Sequence, residues 1–272
     1  MSRIVVDGLA WEVRVRGAGL PVLLLHGFTG RGTAFGSLGT ILARRFRIVT
    51  VDLPGHGRSA AAAPQRLSVE RTADDLASIL RHVDAAPAAV LGYSLGARIA
   101  LRLAVAHPTA VRRLVLESPS AGIADTADRA ARRQADEDLA SRIERDGIDA
   151  FVTQWESLPI FASQRLLPAA RRARIRAMRR SNSPEGLAAS LRGAGRGSME
   201  PLFDRLPAVS VPTLVIAGTL DGAGRTQAEA VAAGIPQVRL ALVPEAGHTP
   251  HDEQPTAFRR FALDFLQEDP AA

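Results

Sequence analysis

Runs of apolar residues alternate along the chain with segments whose apolar positions recur at helical spacing. Continuous apolar runs are typical of central strands in a parallel sheet, because such strands are covered on both faces. The alternation of strands with helices implies an α/β chain with a doubly wound, mostly parallel sheet. Strands are predicted at residues 4–6, 11–15, 21–25, 47–51, 88–91, 111–117, 212–218 and 238–242, and helices at 33–43, 69–82, 95–107, 226–233 and 255–266.

A different pattern occupies residues 121–200. Strand-like runs stop there, and fourteen of the 34 arginines lie in this segment among numerous Asp and Glu residues. Charged residues at helical spacing indicate exposed helices rather than core strands. We interpret the segment as a helical lid inserted into one α/β core, which divides the chain into a core of residues 1–120 and 201–272 and a lid of residues 121–200.

The strand at 88–91 ends in the sequence Gly-Tyr-Ser-Leu-Gly, residues 92–96, and a helical pattern follows. A Gly-x-Ser-x-Gly sequence between a strand and a helix is typical of a nucleophile elbow, which holds the serine on a sharp turn above the sheet. Glycines at both ends leave room where the strand and the helix nearly touch. The pattern therefore predicts that Ser94 is the reactive group of an active site.

A serine hydroxyl needs an imidazole to take its proton, and the imidazole needs a carboxylate that fixes its tautomer. On an elbow of this type, the acid and then the histidine follow the serine along the chain. His248 lies in a loop after the last predicted strand, and Asp221 comes soon after the strand before it. Chain order favours Asp221 as the acid, with Glu117, at the end of another strand, as the alternative. His251 lies close to His248 in sequence, and a structural role is the simpler interpretation of it.

Two backbone N–H groups are predicted to stabilise negative charge on a substrate oxygen. Those of Phe28, in the loop after strand 21–25, and of Leu95, next to Ser94, can converge as an oxyanion hole. Arg98 lies four residues after Ser94 and therefore on the same side of the elbow helix. Because a guanidinium near a buried elbow must reach solvent or meet an anion, we expect Arg98 to bind a substrate carboxylate.

Composition narrows the classes of function. The chain has no cysteine, which excludes disulfides, thiolate catalysis and cysteine-ligated zinc. All 34 basic residues are arginine and the net charge is +6, but acidic residues lie among them and aromatic residues make up only 4%. A small anionic substrate is therefore favoured over nucleic acid. No apolar run is long enough to span a membrane and the N-terminus has no apolar leader, so a soluble, cytoplasmic protein is expected.

Together these motifs resemble the α/β-hydrolase superfamily over nearly the whole chain. Within it, the sequence is similar to the synthases that form 2-succinyl-6-hydroxy-2,4-cyclohexadiene-1-carboxylate in menaquinone biosynthesis. The elbow alone indicates only the superfamily, whereas Arg98 and two lid segments narrow the resemblance to the synthases. The matching stretches are residues 26–30, 92–98, 116–122, 129–136, 151–161, 191–201 and 247–251.

The resemblance implies an α/β-hydrolase fold and an elimination reaction that needs neither a metal nor an organic cofactor. In that reaction a carbon next to a carbonyl loses a proton, and an enolpyruvyl group leaves as pyruvate. The triad would be Ser94, Asp221 and His248, acting as a base without an acyl-enzyme. Arginines crowd residues 171–180, so the choice of Arg180 among them stays open. The substrate-binding positions that the resemblance implies are Arg98, Arg132, Arg180, Tyr93 and Trp155.

Two other classes of function fit parts of the pattern. A serine hydrolase, either an esterase or a carbon–carbon bond hydrolase, needs the same triad and oxyanion hole, but a neutral ester needs no buried arginines. A non-catalytic binding protein on this scaffold usually lacks a triad member, and all three candidates are present here. Arginines that face Ser94 would favour the synthase, whereas an apolar funnel would favour an esterase. The sequence does not indicate an oligomeric state.

Overall fold

The computed structural model describes residues 2–268 and has an eight-stranded sheet at its centre. The strands follow the predicted apolar runs closely, and three of them, at 21–25, 47–51 and 111–117, have the predicted bounds. In chain order the strands are β1 (Ser2–Val6), β2 (Leu9–Arg16), β3 (Pro21–Leu25), β4 (Arg47–Val51), β5 (Ala88–Tyr93), β6 (Val111–Glu117), β7 (Thr213–Gly218) and β8 (Val238–Val243).

The strand order across the sheet is β1-β2-β4-β3-β5-β6-β7-β8. Strand β2 pairs antiparallel with β1 and with β4, and the remaining neighbours pair in parallel. The prediction of an α/β fold with a mostly parallel sheet is confirmed. Since the parallel strands run in one direction, the loops that follow β3, β5, β6, β7 and β8 meet at one edge of the sheet, where ligands bind in open α/β sheets.

Helices connect the parallel strands and also fill the long segment between β6 and β7. In chain order they are α1 (Gly36–Leu42), α2 (Val69–His82), α3 (Leu95–Ala106), α4 (Thr126–Ser157), α5 (Ala169–Arg180), α6 (Pro184–Ala194), α7 (Gly222–Gly234), α8 (Pro250–Glu253) and α9 (Pro255–Gln267). Short 3-10 helices lie at Pro64–Leu67, Pro108–Ala110, Pro159–Leu166 and Phe203–Ala208.

Two helices begin at residues other than those predicted. Helix α1 begins at Gly36 rather than at residue 33, because Gly36 has a φ of +46° that a preceding helical turn does not accommodate. Helix α7 begins at Gly222 rather than at residue 226. The prediction placed its start too late because the glycine-rich first turn looks like a loop in the sequence. This early start matters for the site, since it places Asp221 directly before the helix.

The core lies in two apolar layers, one on each face of the sheet. Successive residues of β3 alternate between them: Leu23 and Leu25 belong to the layer under α2, α3 and α7, and Val22 and Leu24 belong to the layer under α1 and α9. Full burial of each such side chain stabilises the fold by about 1.5–3 kcal/mol. The double coverage explains why the central strands are apolar without interruption.

Helices α4, α5 and α6 occupy most of the predicted lid, and no strand of the described chain lies between β6 and β7. Helix α4 bends at Gly147, which has a φ of +79°. A separate apolar cluster joins α4 to α6 through Ile143, Phe151, Leu187 and neighbouring residues. Division of the chain into a core and a lid at residues 121 and 200 stays a proposal, which this separate cluster supports.

Candidate active site

Ser94 lies on the sharp turn between β5 and α3, with a φ of +50° and a ψ of −105°. Such a backbone conformation is strained for a residue with a side chain and persists only where its surroundings impose it. Here a Cβ on Gly92 would collide with the backbone of Gly96, and a Cβ on Gly96 would collide with the carbonyl group of Leu25. Both glycines are therefore required by close packing, and they hold the Ser94 hydroxyl at the edge of the sheet.

The Ser94 hydroxyl belongs to a chain of three hydrogen-bonded groups. Its Oγ lies 3.1 Å from Nε2 of His248, and Nδ1 of His248 lies 2.6 Å from Oδ2 of Asp221. Because Nδ1–H donates to the carboxylate, Nε2 is the nitrogen left to take a proton from Ser94. A Cβ on Gly224, in the first turn of α7, would overlap with the Asp221 carboxylate, so this glycine makes room for the acid.

The alternative acid, Glu117, faces a different histidine. Its two carboxylate oxygens lie 2.8 and 2.9 Å from Nδ1 of His251, and Oε1 also accepts the backbone N–H of His251 at 2.8 Å. Burial disfavours the charged imidazole, but the carboxylates of Glu117 and Asp252 outweigh it and raise the pKa of His251 to about 9. The pair anchors the loop that carries His248, and no Glu117 oxygen contacts the His248 ring in the described chain.

Two buried histidines fix the loop that carries Phe28. His56 Nε2 accepts the backbone N–H of Thr29 at 3.2 Å, and His26 Nε2 accepts the backbone N–H of Leu53 at 2.9 Å. Burial lowers the pKa of His26 to about 4 and that of His56 to about 3, so both are neutral acceptors at physiological pH. Their bonds join the loop after β3 to the loop after β4 and hold Phe28 beside the elbow.

The backbone N–H groups of Phe28 and Leu95 have no acceptor within residues 2–268. Phe28 follows β3 and Leu95 is the first residue of α3, and both residues line the cavity that contains the Ser94 side chain. Two free donors, of which Leu95 stands at the positive end of α3, suit an oxygen that gains negative charge. The arrangement is the one expected of the predicted oxyanion hole.

The cavity above Ser94 has a volume of about 260 Å³. It lies between the sheet edge and the helical segment, and core and lid residues both contribute to its wall. Of the residues that the sequence singles out, its wall contains Ser94, His248, Phe28, Leu95, Tyr93, Trp155, Arg98 and Arg132. The structure thus brings eight predicted site residues together at one cavity, and Asp221 lies behind His248.

Arg98 and Arg132 give this cavity a positive wall. Nη1 of Arg98 donates to the carbonyl group of Ala194 at 2.8 Å, and Nε of Arg132 donates to Oδ1 of Asp136 at 2.8 Å. Burial, followed by repulsion from Arg132, lowers the pKa of Arg98 to about 10, so its guanidinium remains charged at neutral pH. A buried cation without a carboxylate of its own is costly unless a ligand supplies one.

Aromatic rings cover the rest of the wall. Tyr93 lies against His248, with ring centroids 5.6 Å apart, and burial raises the pKa of its hydroxyl well above the ordinary value. Trp155 contacts Phe28 and Phe161, and its buried Nε1–H has no acceptor in the described chain. The Trp155 indole therefore carries an unpaired hydrogen-bond donor beside the apolar rings of the wall.

The structure does not bring Arg180 to the cavity. Its Nε lies 2.9 Å from Oδ1 of Asp149, and both side chains are largely exposed on the lid surface. The buried arginine of α5 is Arg179, which pairs with Glu156 at 3.0 Å and lies over the ring of Phe161 at 4.9 Å. The helical repeat is the signal that identifies it, because Arg179 follows the buried Ile175 by four residues, whereas Arg180 lies on another face.

Arg196 is a cavity residue that the motifs did not indicate. It lies two residues after the end of α6, and its side chain forms part of the wall near Arg132. The one indication in the sequence is that Arg196 lies within the stretch 191–201, which matches the synthases. Within residues 2–268, no three His, Asp or Glu side chains are arranged to hold a metal ion. The described helices include none with the length and apolar character needed to cross a membrane.

Comparison with known proteins agrees with this geometry. A family model for the alpha/beta hydrolase fold matches residues 21–255, a range that contains Ser94, Asp221 and His248. A putative 2-succinyl-6-hydroxy-2,4-cyclohexadiene-1-carboxylate synthase of Bacillus subtilis (strain 168) is 38% identical over 265 residues, which cover 96% of each chain.

Solved structures show the same similarity. The structure of MenH from S. aureus has a TM-score of 0.90 and 32% identity, and the match covers 94% of this chain and 97% of that one. A malate-bound thermophilic esterase from Thermogutta terrifontis has a TM-score of 0.83 and 28% identity, with 98% of both chains covered. The fold is thus shared with a hydrolase as well, and the cavity wall has to distinguish the two kinds of chemistry.

Proposed function

We propose that this chain, which belongs to the alpha/beta hydrolase fold family, is a lyase with a small anionic substrate. In this proposal it removes pyruvate from 2-succinyl-5-enolpyruvyl-6-hydroxy-3-cyclohexene-1-carboxylate and forms 2-succinyl-6-hydroxy-2,4-cyclohexadiene-1-carboxylate, a step of menaquinone biosynthesis. The observation that carries the proposal is the positive wall of Arg98 and Arg132 beside Ser94. The 38% identity to the putative synthase of Bacillus subtilis supports the same substrate.

The chemistry follows from the positions of the groups on the substrate ring. The succinyl carbonyl is attached to C2, the double bond joins C3 to C4, and the enolpyruvyl oxygen is attached to C5. Loss of the C2 proton places an electron pair on the succinyl carbonyl oxygen. When that pair returns, double bonds form at C2–C3 and C4–C5, the C5–O bond breaks, and the departing enolpyruvate takes a proton to become pyruvate.

The triad supplies the base for this reaction. Ser94 Oγ–H gives its proton to Nε2 of His248 as Oγ accepts the C2 proton, and Asp221 stabilises the imidazolium through its bond to Nδ1. The proton then held by His248 is available to the leaving group. No bond forms between Ser94 and a substrate carbon, so the triad acts here without an acyl-enzyme.

The oxyanion hole stabilises the electron pair between the two steps. The free N–H groups of Phe28 and Leu95 would donate to the succinyl oxygen as it becomes an enolate. Arg98 and Arg132 would together hold one substrate carboxylate, and Tyr93 and Trp155 would pack against the ring. Neither a metal ion nor an organic cofactor is needed for a step of this kind.

The direct test is pyruvate release from the enolpyruvyl precursor. Purified protein is mixed with the precursor, and pyruvate is measured through the oxidation of NADH by added lactate dehydrogenase. Formation of the conjugated diene is followed separately by its ultraviolet absorbance. Equal rates of pyruvate release and diene formation are expected, and both should vanish with Ser94→Ala. A wild-type chain that releases no pyruvate would refute the proposal.

An esterase is the second candidate, because the Thermogutta terrifontis enzyme shares the fold at 28% identity and the triad geometry is equally suited to acyl transfer. The two candidates differ in what the arginines do. An esterase for neutral substrates gains nothing from Arg98 and Arg132, whereas the lyase substrate carries three carboxylates. Hydrolysis of a neutral ester at a kcat/KM above that for pyruvate release would favour the esterase.

A further inference from the structure

Arg196 is a half-buried cation for which neither the triad nor the oxyanion hole has a use. It lines the same cavity as Ser94, Arg98 and Arg132. Its Nη1 donates to Oε1 of Gln227 on α7 at 2.8 Å, while its buried Nε–H has no hydrogen-bond partner within residues 2–268. An unpaired donor on a charged group is costly to bury, which suggests that its partner is a ligand.

The loop around Arg196 is held from outside the cavity. The guanidinium of Arg133 donates from Nε and Nη2 to the carbonyl group of Gly197, at 3.3 and 3.2 Å. The backbone N–H groups of Ser198 and Met199 both donate to the carbonyl group of Gly195, at 3.0 and 3.2 Å. A fixed backbone on both sides, together with the bond to Gln227, orients the Arg196 side chain before a ligand binds.

The charges around the cavity do not balance. Three guanidinium groups lie on its wall, those of Arg98, Arg132 and Arg196, and none of the described residues of the wall is a carboxylate. Asp136 lies behind the wall and uses Oδ1 for Arg132, and the carboxylate of Asp221 is used by His248. One carboxylate is thus shared among three guanidiniums, so two positive charges remain for a ligand.

Burial and mutual repulsion act on these arginines in the same direction. Burial, and then repulsion from Arg132, lowers the pKa of Arg196 as well as that of Arg98. The carboxylate of Asp136 offsets this only partly at both positions, and that of Glu70 adds a smaller contribution at Arg98. A ligand with two negative charges would relieve the repulsion at both positions, whereas a ligand with one would leave an unpaired cation.

We propose that Arg196 binds a second carboxylate of the substrate, next to the one held by Arg98 and Arg132, so that the cavity selects ligands with at least two carboxylates. This inference rests on the proposed function only for the identity of the ligand. Arg196 is a substrate-binding residue in this view, and the Gln227 amide is a positioning group that keeps one edge of its guanidinium occupied and the other edge free.

The test compares two small anions that differ in one carboxylate. Succinate and butyrate have the same number of carbons, so their ratio of dissociation constants measures the contribution of the second carboxylate. Binding of each anion is measured by isothermal titration or by ligand-observed NMR with the wild-type chain, Arg196→Gln, Arg196→Lys and Arg133→Gln. The last variant loses the same charge and perturbs the same loop, but its side chain does not line the cavity.

Wild type is expected to prefer succinate over butyrate by about tenfold or more, since a charge-assisted pair contributes that much. Arg196→Gln should bring the ratio close to one, Arg196→Lys should restore part of it, and Arg133→Gln should keep the wild-type ratio. An unchanged ratio in Arg196→Gln, an equal loss in Arg133→Gln, or a wild type without preference would each overturn the inference.

The outcome is separable from that of the proposed lyase activity. The anion titrations require no turnover, so a loss of succinate preference in Arg196→Gln would support the second carboxylate site even if no pyruvate were released. Conversely, wild-type pyruvate release with an unchanged kcat/KM in Arg196→Gln would leave the lyase function standing and overturn the role of Arg196.

Discussion

Raising the pH above neutrality is expected to destabilise the folded chain through one buried ion pair. His251 and Glu117 have side-chain exposures of 5% and 0%, and Nδ1 of His251 lies 2.8 Å from the carboxylate. The folded chain keeps the imidazolium proton up to a pKa of about 9, whereas an ordinary histidine releases it near 6.5. Between these two values the unfolded state binds fewer protons than the folded state, so the free energy of unfolding falls as the pH rises.

The difference between the two pKa values sets the size of the effect. Each pH unit within the window corresponds to about 1.4 kcal/mol, so the stabilisation by His251 is complete below pH 6.5 and falls by about 3 kcal/mol by pH 9. That is a large share of the roughly 5–15 kcal/mol that stabilises an ordinary domain. His26 and His56 do not titrate in the folded state in this window, because burial lowers their pKa to about 4 and about 3.

Urea unfolding at several pH values between 6 and 9.5, followed by circular dichroism, measures this decline. His251→Gln should be less stable than wild type at pH 6.5, should show little change with pH, and should approach the wild-type value near pH 9. His82→Gln, which alters an exposed histidine, should keep the wild-type slope. A wild-type stability that is flat between pH 6.5 and 9, or an unchanged slope in His251→Gln, would refute the reasoning.

Three further predictions concern the chemistry. Ser94→Ala and His248→Ala should each lower kcat for pyruvate release by several orders of magnitude, and the double variant should lose little more, because the residues act as a unit. Near-normal turnover in either single variant would exclude that residue from the triad. Asp221→Asn should be severely impaired and Glu117→Gln, compared at a temperature where it stays folded, only mildly, and the reverse ranking would assign the acid to Glu117. Arg98→Ala should lower kcat/KM on the anionic substrate by about ten- to a hundredfold and change neutral-ester hydrolysis little, whereas equal losses on both would mean that Arg98 only supports the elbow.

The central strands β3 to β7 were predictable from the sequence because almost all of their residues are buried. Strand β3 is apolar throughout since its residues alternate between two covered layers, and its predicted bounds agree with the structure. The predicted start of α1 was wrong because one glycine with a positive φ decides where the helix begins, and a hydrophobic pattern carries no information about φ. Asp221 was predictable as a candidate because it comes soon after a strand, and the loops that follow parallel strands all lie at the same edge of the sheet.

The position of an arginine could be predicted only where the residues that place it are near it in the sequence. Arg98 follows Ser94 by four residues on one helix, so the elbow alone determines the direction of its side chain. The choice between Arg179 and Arg180 depends on which face of α5 packs against Phe161, a contact made by another segment of the lid. Arg196 depends on a non-helical loop and on Gln227, which lies 31 residues further along the chain. No spacing rule connects such residues.

The triad and most of the cations on the cavity wall come from different parts of the chain. Ser94, His248 and Asp221 all follow strands of the sheet, so the base is assembled by the core alone. Arg132 lies on α4 and Arg196 follows α6, so two of the three cations that face the cavity come from the helical segment. A core of this kind can support hydrolysis or elimination with the same three residues. The choice of a multiply charged substrate, and with it the choice of reaction, therefore resides in the packing of the helical segment over the elbow.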